Sequence, residues 1–182
     1  MRSILTMTLV LPGFVSTALC AVEKAAPPKE VVAVLEFYAG NWSVTGMVGN
    51  APLKGTASFR MPAGRHCVLG TVNCRSEQGP FTFSLVSGWD SSTGWYTEQG
   101  SGADGGVYSV AWSKVSENVD EGLQVEAFEG KKVTSKLTLE RKGKDSFVVV
   151  CSERKGDNET LPPLTLVYQR AAKENRKPEK KE

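Results

Sequence analysis

Few side chains in this chain could do chemistry, and their spacing rules most of it out. His66 is the only histidine. With Cys67 adjacent to it on an extended segment, the two side chains point to opposite faces and cannot act as a nucleophile and its base. Cys67, Cys74 and Cys151 lack metal-ligand spacing, and no second histidine exists to complete a zinc site. On one strand, Cys67 and Cys74 would lie on opposite faces and about 23 Å apart at roughly 3.3 Å per residue. They could bond only across a turn at Gly70-Thr71, so packed thiols are expected rather than a disulfide framework.

Gly100-x-Gly102-x-x-Gly105 matches the dinucleotide fingerprint by letter. No βαβ unit surrounds it, and no helix follows Gly105 to meet a pyrophosphate, which leaves a hairpin loop. Asp90 and Asp104 fall in turns without the further carboxylates that calcium needs. Glu98, Glu126 and Glu153 fall on strands, where a solvated outer face accounts for each. The sequence therefore assigns no catalytic residue, no metal site and no cofactor. The aromatic set is the better lead: Phe59, Phe81, Phe83, Tyr108 and Trp112 are assigned to inward faces. They either fill a core or line a pocket for an apolar molecule. In a pocket, the Tyr108 hydroxyl and the Trp112 indole N–H would need polar partners.

The elements that must position these residues are mostly strands. Val31, Val34, Leu35 and Tyr38 recur at helical spacing, behind the stop supplied by Pro27 and Pro28 and ahead of Gly40. So short a helix is marginal alone and is expected to lie over a barrel opening. From Trp42 the period becomes two. Over Pro52 to Met61, Leu53, Gly55, Ala57, Phe59 and Met61 alternate with Lys54, Thr56, Ser58 and Arg60, as in a half-buried antiparallel strand. Comparable segments begin at Arg65, Pro80, Trp95, Val107, Gly122, Lys131, Phe147 and Leu164, with Gly, Asp, Asn or Pro between them. Gly70, inside the first of these, predicts a bulge or a bend. In the Gly122 segment the apolar set is Leu123, Val125 and Ala127. The pattern predicts an all-β fold: an up-and-down antiparallel β-barrel of about ten strands with a short N-terminal helix over one opening.

Gly40-x-Trp42 on the first strand, with Arg170 near the end of the last, resembles the lipocalin/calycin group of closed antiparallel barrels. The resemblance implies that the Trp closes the base and that the Arg packs across its ring, a contact favourable by ~0.5–2 kcal/mol. Gly88-Trp89-Asp90 and Gly94-Trp95 around a turn, followed by a Gly-rich turn, look like an uncharacterised family of bacterial exported proteins with calycin-like barrels. The resemblance extends over roughly residues 31–170. It implies a fold and not an activity.

Residues 1–22 read as a signal peptide, with Arg2 ahead of an apolar run and Ala18-Leu19-Cys20 at the cleavage position. The run is too short and too broken by Pro12 and Gly13 to span a bilayer, and no later stretch is a transmembrane segment. Residues 23–30 form a linker, 31–170 the barrel and 171–182 a charged disordered tail. The formal charge is +2, but the tail alone holds five basic against three acidic residues. The body is close to neutral and lacks the basic patch that nucleic acid requires. The expected location is secreted or periplasmic, with lipid anchoring through Cys20 as the alternative. The expected function is non-catalytic binding of a small apolar or amphipathic ligand inside the barrel. The alternatives are a packed domain whose partner is another protein, and a haem-binding barrel or enzyme using His66.

Overall fold

The computed structural model describes residues 26–172. The signal peptide at 1–22, Cys20 and all but the first two residues of the tail lie outside the described residues. The chain opens with α1 (Lys29–Tyr38) and continues through ten strands: β1 (Gly40–Val48), β2 (Ala51–Arg60), β3 (Cys67–Ser76), β4 (Gly79–Asp90), β5 (Trp95–Gly102), β6 (Val107–Lys114), β7 (Val119–Phe128), β8 (Lys131–Arg141), β9 (Ser146–Lys155) and β10 (Leu164–Arg170). Each strand pairs antiparallel with its sequence neighbours, and β1 pairs with β10, so these ten strands form a closed barrel with no bare edge.

Closure is fixed by register. Trp42 stands opposite Arg170, and the ladder runs from there to Val48 opposite Leu164. Alternation then sends Trp42, Val44, Leu166 and Tyr168 inward, where all four are buried. Pro28 precedes α1, which begins two residues before the apolar periodicity does, and Val31, Val34, Leu35 and Tyr38 form its buried face. The helix covers the end of the barrel where β1 starts and β10 finishes. The hairpin turns that follow β1, β3, β5, β7 and β9 surround the other end.

Gly70 does not mark a bulge. The registers of β2 with β3 and of β3 with β4 pass through it unbroken. It is a glycine because the Phe59 ring lies across it, and a Cβ there would come 2.5 Å from that ring. The irregularities fall elsewhere. One lies in β6 between Trp112 and Lys114. The other is in β9, where Glu153 and Arg154 together oppose Ser135. Glu153 takes a left-handed conformation, φ 50°, which a Glu side chain adopts at a cost of order 1–3 kcal/mol. The bulge inverts the alternation: Phe147, Val149 and Cys151 point inward, and beyond the bulge Arg154 does so in place of Glu153.

Candidate functional site

The floor of the barrel is a packed aromatic and ionic plug. The Arg170 guanidinium carbon lies 4.2 Å from the centroid of the Trp42 ring. Its two terminal nitrogens donate to the Ala39 carbonyl (3.0 Å) and the Phe37 carbonyl (2.7 Å), tying the last strand to the end of α1. The Trp42 indole N–H donates to the Tyr38 carbonyl at 2.9 Å. Gly40 has φ +135°, and a Cβ there would stand 2.7 Å from Arg170 Nη1. Phe147 stacks on Tyr168 with centroids 4.1 Å apart and meets Trp42 edge-on at 4.8 Å.

A second ionic contact, between Asp120 and Arg141, completes the floor. Both side chains are buried and salt-bridged to each other. The Tyr38 hydroxyl donates to Asp120 Oδ2 at 3.2 Å, and Arg141 donates to the Ser116 and Glu117 carbonyls. The Arg141 guanidinium also lies over the Phe37 and Tyr38 rings. Burial first, then the Asp120 charge, pushes the Tyr38 hydroxyl well above its ordinary range. The sequence reading missed this pair because each member sits near a strand end and resembles an ordinary surface charge.

Above the floor lies a cavity of about 580 Å³ that reaches from Tyr38 to the exposed turns at Gln78 and Asp104. All five aromatics assigned inward face it. Phe59 and Trp112 are buried in its lower half, while Phe81, Phe83 and Tyr108 are half-buried in its upper half. The upper three form a chain, with centroids 5.6 Å apart for Phe81–Phe83 and 6.0 Å for Phe83–Tyr108. Trp112 packs beside Tyr96 at 6.1 Å, and its indole N–H has no acceptor. The interior is therefore partly filled and partly open.

The inner wall is not uniformly apolar. Cross-strand register places Ser87, Glu98, Val110, Gln124 and Ser135 in one row around the barrel. Four of those five side chains are polar, so the row forms a belt halfway up an apolar tube. Glu98 and Glu126, expected on the solvated outer face, both line the cavity. In β7 it is Leu123 that faces outward, half exposed, while Gln124 and Glu126 face in. The inward side of that strand is polar from Asp120 to Glu126 and apolar only at its last residue, Phe128.

Three groups of contacts organise the belt. The Gln124 amide donates to Glu126 (2.7 Å), and Arg154 pairs with the other Glu126 oxygen (3.3 Å). The Ser87 and Tyr96 hydroxyls are 2.9 Å apart. The Tyr108 hydroxyl donates to Glu98 at 3.2 Å. Tyr108 reaches Glu98 by lying over Gly100, where a Cβ would come 2.4 Å from its ring. Burial pushes the Glu98 carboxyl up to about 7, against smaller lowering effects from Ser87 and Tyr108. Burial likewise raises the Cys74 thiol and pushes the Cys151 thiol up to about 12.

The remaining candidates lie outside the cavity or, for the Gly102–Gly106 turn, at its rim. His66 sits in the loop before β3, not on the strand, and does not line the cavity, so it offers no axial ligand to a group held there. Cys67 and Cys74 occupy opposite faces of β3, and all three described cysteines are free. Gly102 to Gly106 close the β5–β6 hairpin, with Asp104 accepting from the Gly106 N–H at 2.9 Å. Among the described residues, no three His, Cys, Asp or Glu side chains group as a metal site. No described helix is long and apolar enough to cross a membrane.

No protein-family model and no curated protein matches the chain. Among solved structures it is similar to a de novo designed fluorescence-activating β-barrel. The two share 14% identity and a TM-score of 0.45, over 76% of this chain and 97% of that one.

Proposed function

We propose that this barrel binds a small apolar or amphipathic molecule in its interior, without catalysis. The observation that carries the reading is the aromatic-lined cavity of about 580 Å³, closed at the floor and reaching the turns at the other end. That volume lies within the ~300–1,000 Å³ range of ligand pockets. The binding role falls to Phe59, Phe81, Phe83, Tyr108 and Trp112. Gly40, Trp42 and Arg170 hold the floor that keeps such a ligand from passing through. The Trp–Arg closure is the feature that supports kinship with the lipocalin/calycin barrels. Native mass spectrometry of the purified chain tests the reading. Added mass that denaturation releases supports it, and a chain that takes up no apolar molecule of any head group sinks it.

We also propose export, on the Arg2 n-region and the apolar run behind it. The intact mass of protein recovered from outside the cytoplasm of a bacterial host decides this. Loss of about the first 20–22 residues is expected from the signal-peptide pattern, and a full-length chain would refute it. A further mass of a diacylglycerol on Cys20 would establish the anchored alternative.

A further inference from the structure

The cavity contains an unmatched charge. Of the carboxylates that line it, Asp120 is paired with Arg141, Glu126 is paired with Arg154, and Asp104 holds the backbone of its own turn. Glu98 alone has neither a basic partner among the described residues nor a turn to cap. Its neighbours in the row are the Ser87 hydroxyl and the apolar Val110, and the Tyr108 hydroxyl donates to one of its oxygens. A carboxylate has room for about four hydrogen bonds, so acceptor capacity is left facing the cavity. Aromatic rings line the cavity near that position: Tyr108 itself, Phe83 at 6.0 Å from it, and the Tyr96–Trp112 pair. A cation placed there would have aromatic rings within reach as well as the carboxylate.

On the reading that the cavity binds a ligand, we propose that the ligand carries a protonated amine or quaternary ammonium group, held against Glu98 with its apolar part along Phe83 and Phe81 towards the mouth. Beside a neutral ligand the carboxyl either stays protonated or lies ionised, buried and unpaired, and the second is costly. An anionic head would stand against that carboxylate, and the one basic group lining the cavity among the described residues, Arg154, is already engaged by Glu126 and by the Pro162 carbonyl. The groups that face Glu98 do not supply the missing charge. Tyr96, Tyr108, Tyr168 and Cys151 are kept in their neutral forms by burial, and Asp120 with Arg141 forms a matched pair. The free carboxyl titrates at about 7, and a bound cation favours its ionised form. Binding near neutral pH therefore releases a proton from Glu98.

The test is isothermal titration calorimetry of the full chain with n-octylamine, 1-octanol and octanoate, which share a tail and differ in the head. At pH 8, octylamine is expected to bind at least about tenfold more tightly than octanol, with octanoate weakest. The preference should collapse in Glu98→Gln and, in the unaltered chain, at pH 5.5, where the amine is still charged and Glu98 is not. Titrations near pH 7 in buffers of different ionisation enthalpy should show proton release with octylamine and none with octanol. Equal binding of octanol and octylamine, or tighter binding of octanoate, would overturn the cation assignment and leave the cavity reading standing. Binding of none of the three would overturn both.

Discussion

The Arg170 guanidinium carbon stands 4.2 Å from the Trp42 ring centroid, and the two residues are direct cross-strand partners at the seam where the last strand meets the first. Arg170 also donates to two carbonyls near the end of α1 and lies within 3.4 Å of Asp145. One side chain therefore ties seam, helix and indole together. Trp42→Ala is expected to lose about 3–5 kcal/mol, the range for a buried Trp, and Arg170→Ala several kcal/mol. Urea unfolding checks both. Losses below about 1 kcal/mol for the two variants would mean that the seam does not depend on this pair.

Asp120 and Arg141 make a second, fully buried contact at the same floor. Removing one member leaves the other charged and unmatched, so Asp120→Asn or Arg141→Met is expected to cost about 3–5 kcal/mol. Replacing both should cost clearly less than the sum of the single changes. Tyr38→Phe, which removes one hydrogen bond to Asp120, should cost about 1 kcal/mol. A double-mutant cycle by chemical unfolding measures the coupling, and strict additivity would show that the two side chains act independently.

The barrel itself was legible because most strands carry an apolar inner face against a polar outer one. In β2, Leu53, Ala57 and Phe59 are buried, and in β8, Leu137 and Leu139 are, as their alternation requires. The floor was half legible: Trp42 and Arg170 stand at the two ends of the sheet, but Asp120 and Arg141 meet only through the register of β7 with β8. The polar belt was hidden for a different reason. A cavity wall need not be apolar, so the alternation in β7 is inverted: Leu123, in the apolar set of that segment, is half exposed, while Glu126, expected on the outer face, lines the cavity. Glu98 lies on a strand with little apolar alternation, and only cross-strand pairing puts it beside Ser87 and Val110. The bulge at Glu153 likewise swaps the faces of Glu153 and Arg154, and no glycine marks it.

Glu98 also makes stability depend on pH. Its carboxyl titrates at about 7 in the folded chain against 4.5 for an unperturbed side chain. Between those values the folded chain holds a proton that the unfolded chain has released. Stability therefore falls as pH rises through that window, and the whole cost is present above it. At 1.36 kcal/mol per pH unit the cost is about 3 kcal/mol at most. Glu98→Gln removes it, so the variant should be more stable than the parent by about 2–3 kcal/mol at pH 8 and by less than about 1 kcal/mol at pH 5. Paired urea titrations at the two pH values check this. A variant less stable than the parent at pH 8 would show that the ionised carboxylate is well accommodated.

The two interior thiols should be slow to react. Thiolate is the attacking species, and at pH 8 a thiol titrating near 8.5 is partly ionised. Burial pushes the Cys151 thiol up to about 12 and raises that of Cys74. Cys151 should therefore be alkylated by iodoacetamide roughly a thousandfold more slowly than an exposed thiol, from the thiolate fraction alone. Cys67, half-buried on the outer face of β3, should react well ahead of either. Peptide mass spectrometry after timed alkylation reads all three sites, and a denatured sample sets the unprotected rate. Because Cys151 lines the cavity, an apolar occupant should slow its modification further while leaving Cys67 unchanged. Equal rates at Cys67 and Cys151 would mean that the cavity is wet and open down to the level of Gln124, which Cys151 touches, and its claim to hold an apolar molecule would fail with it.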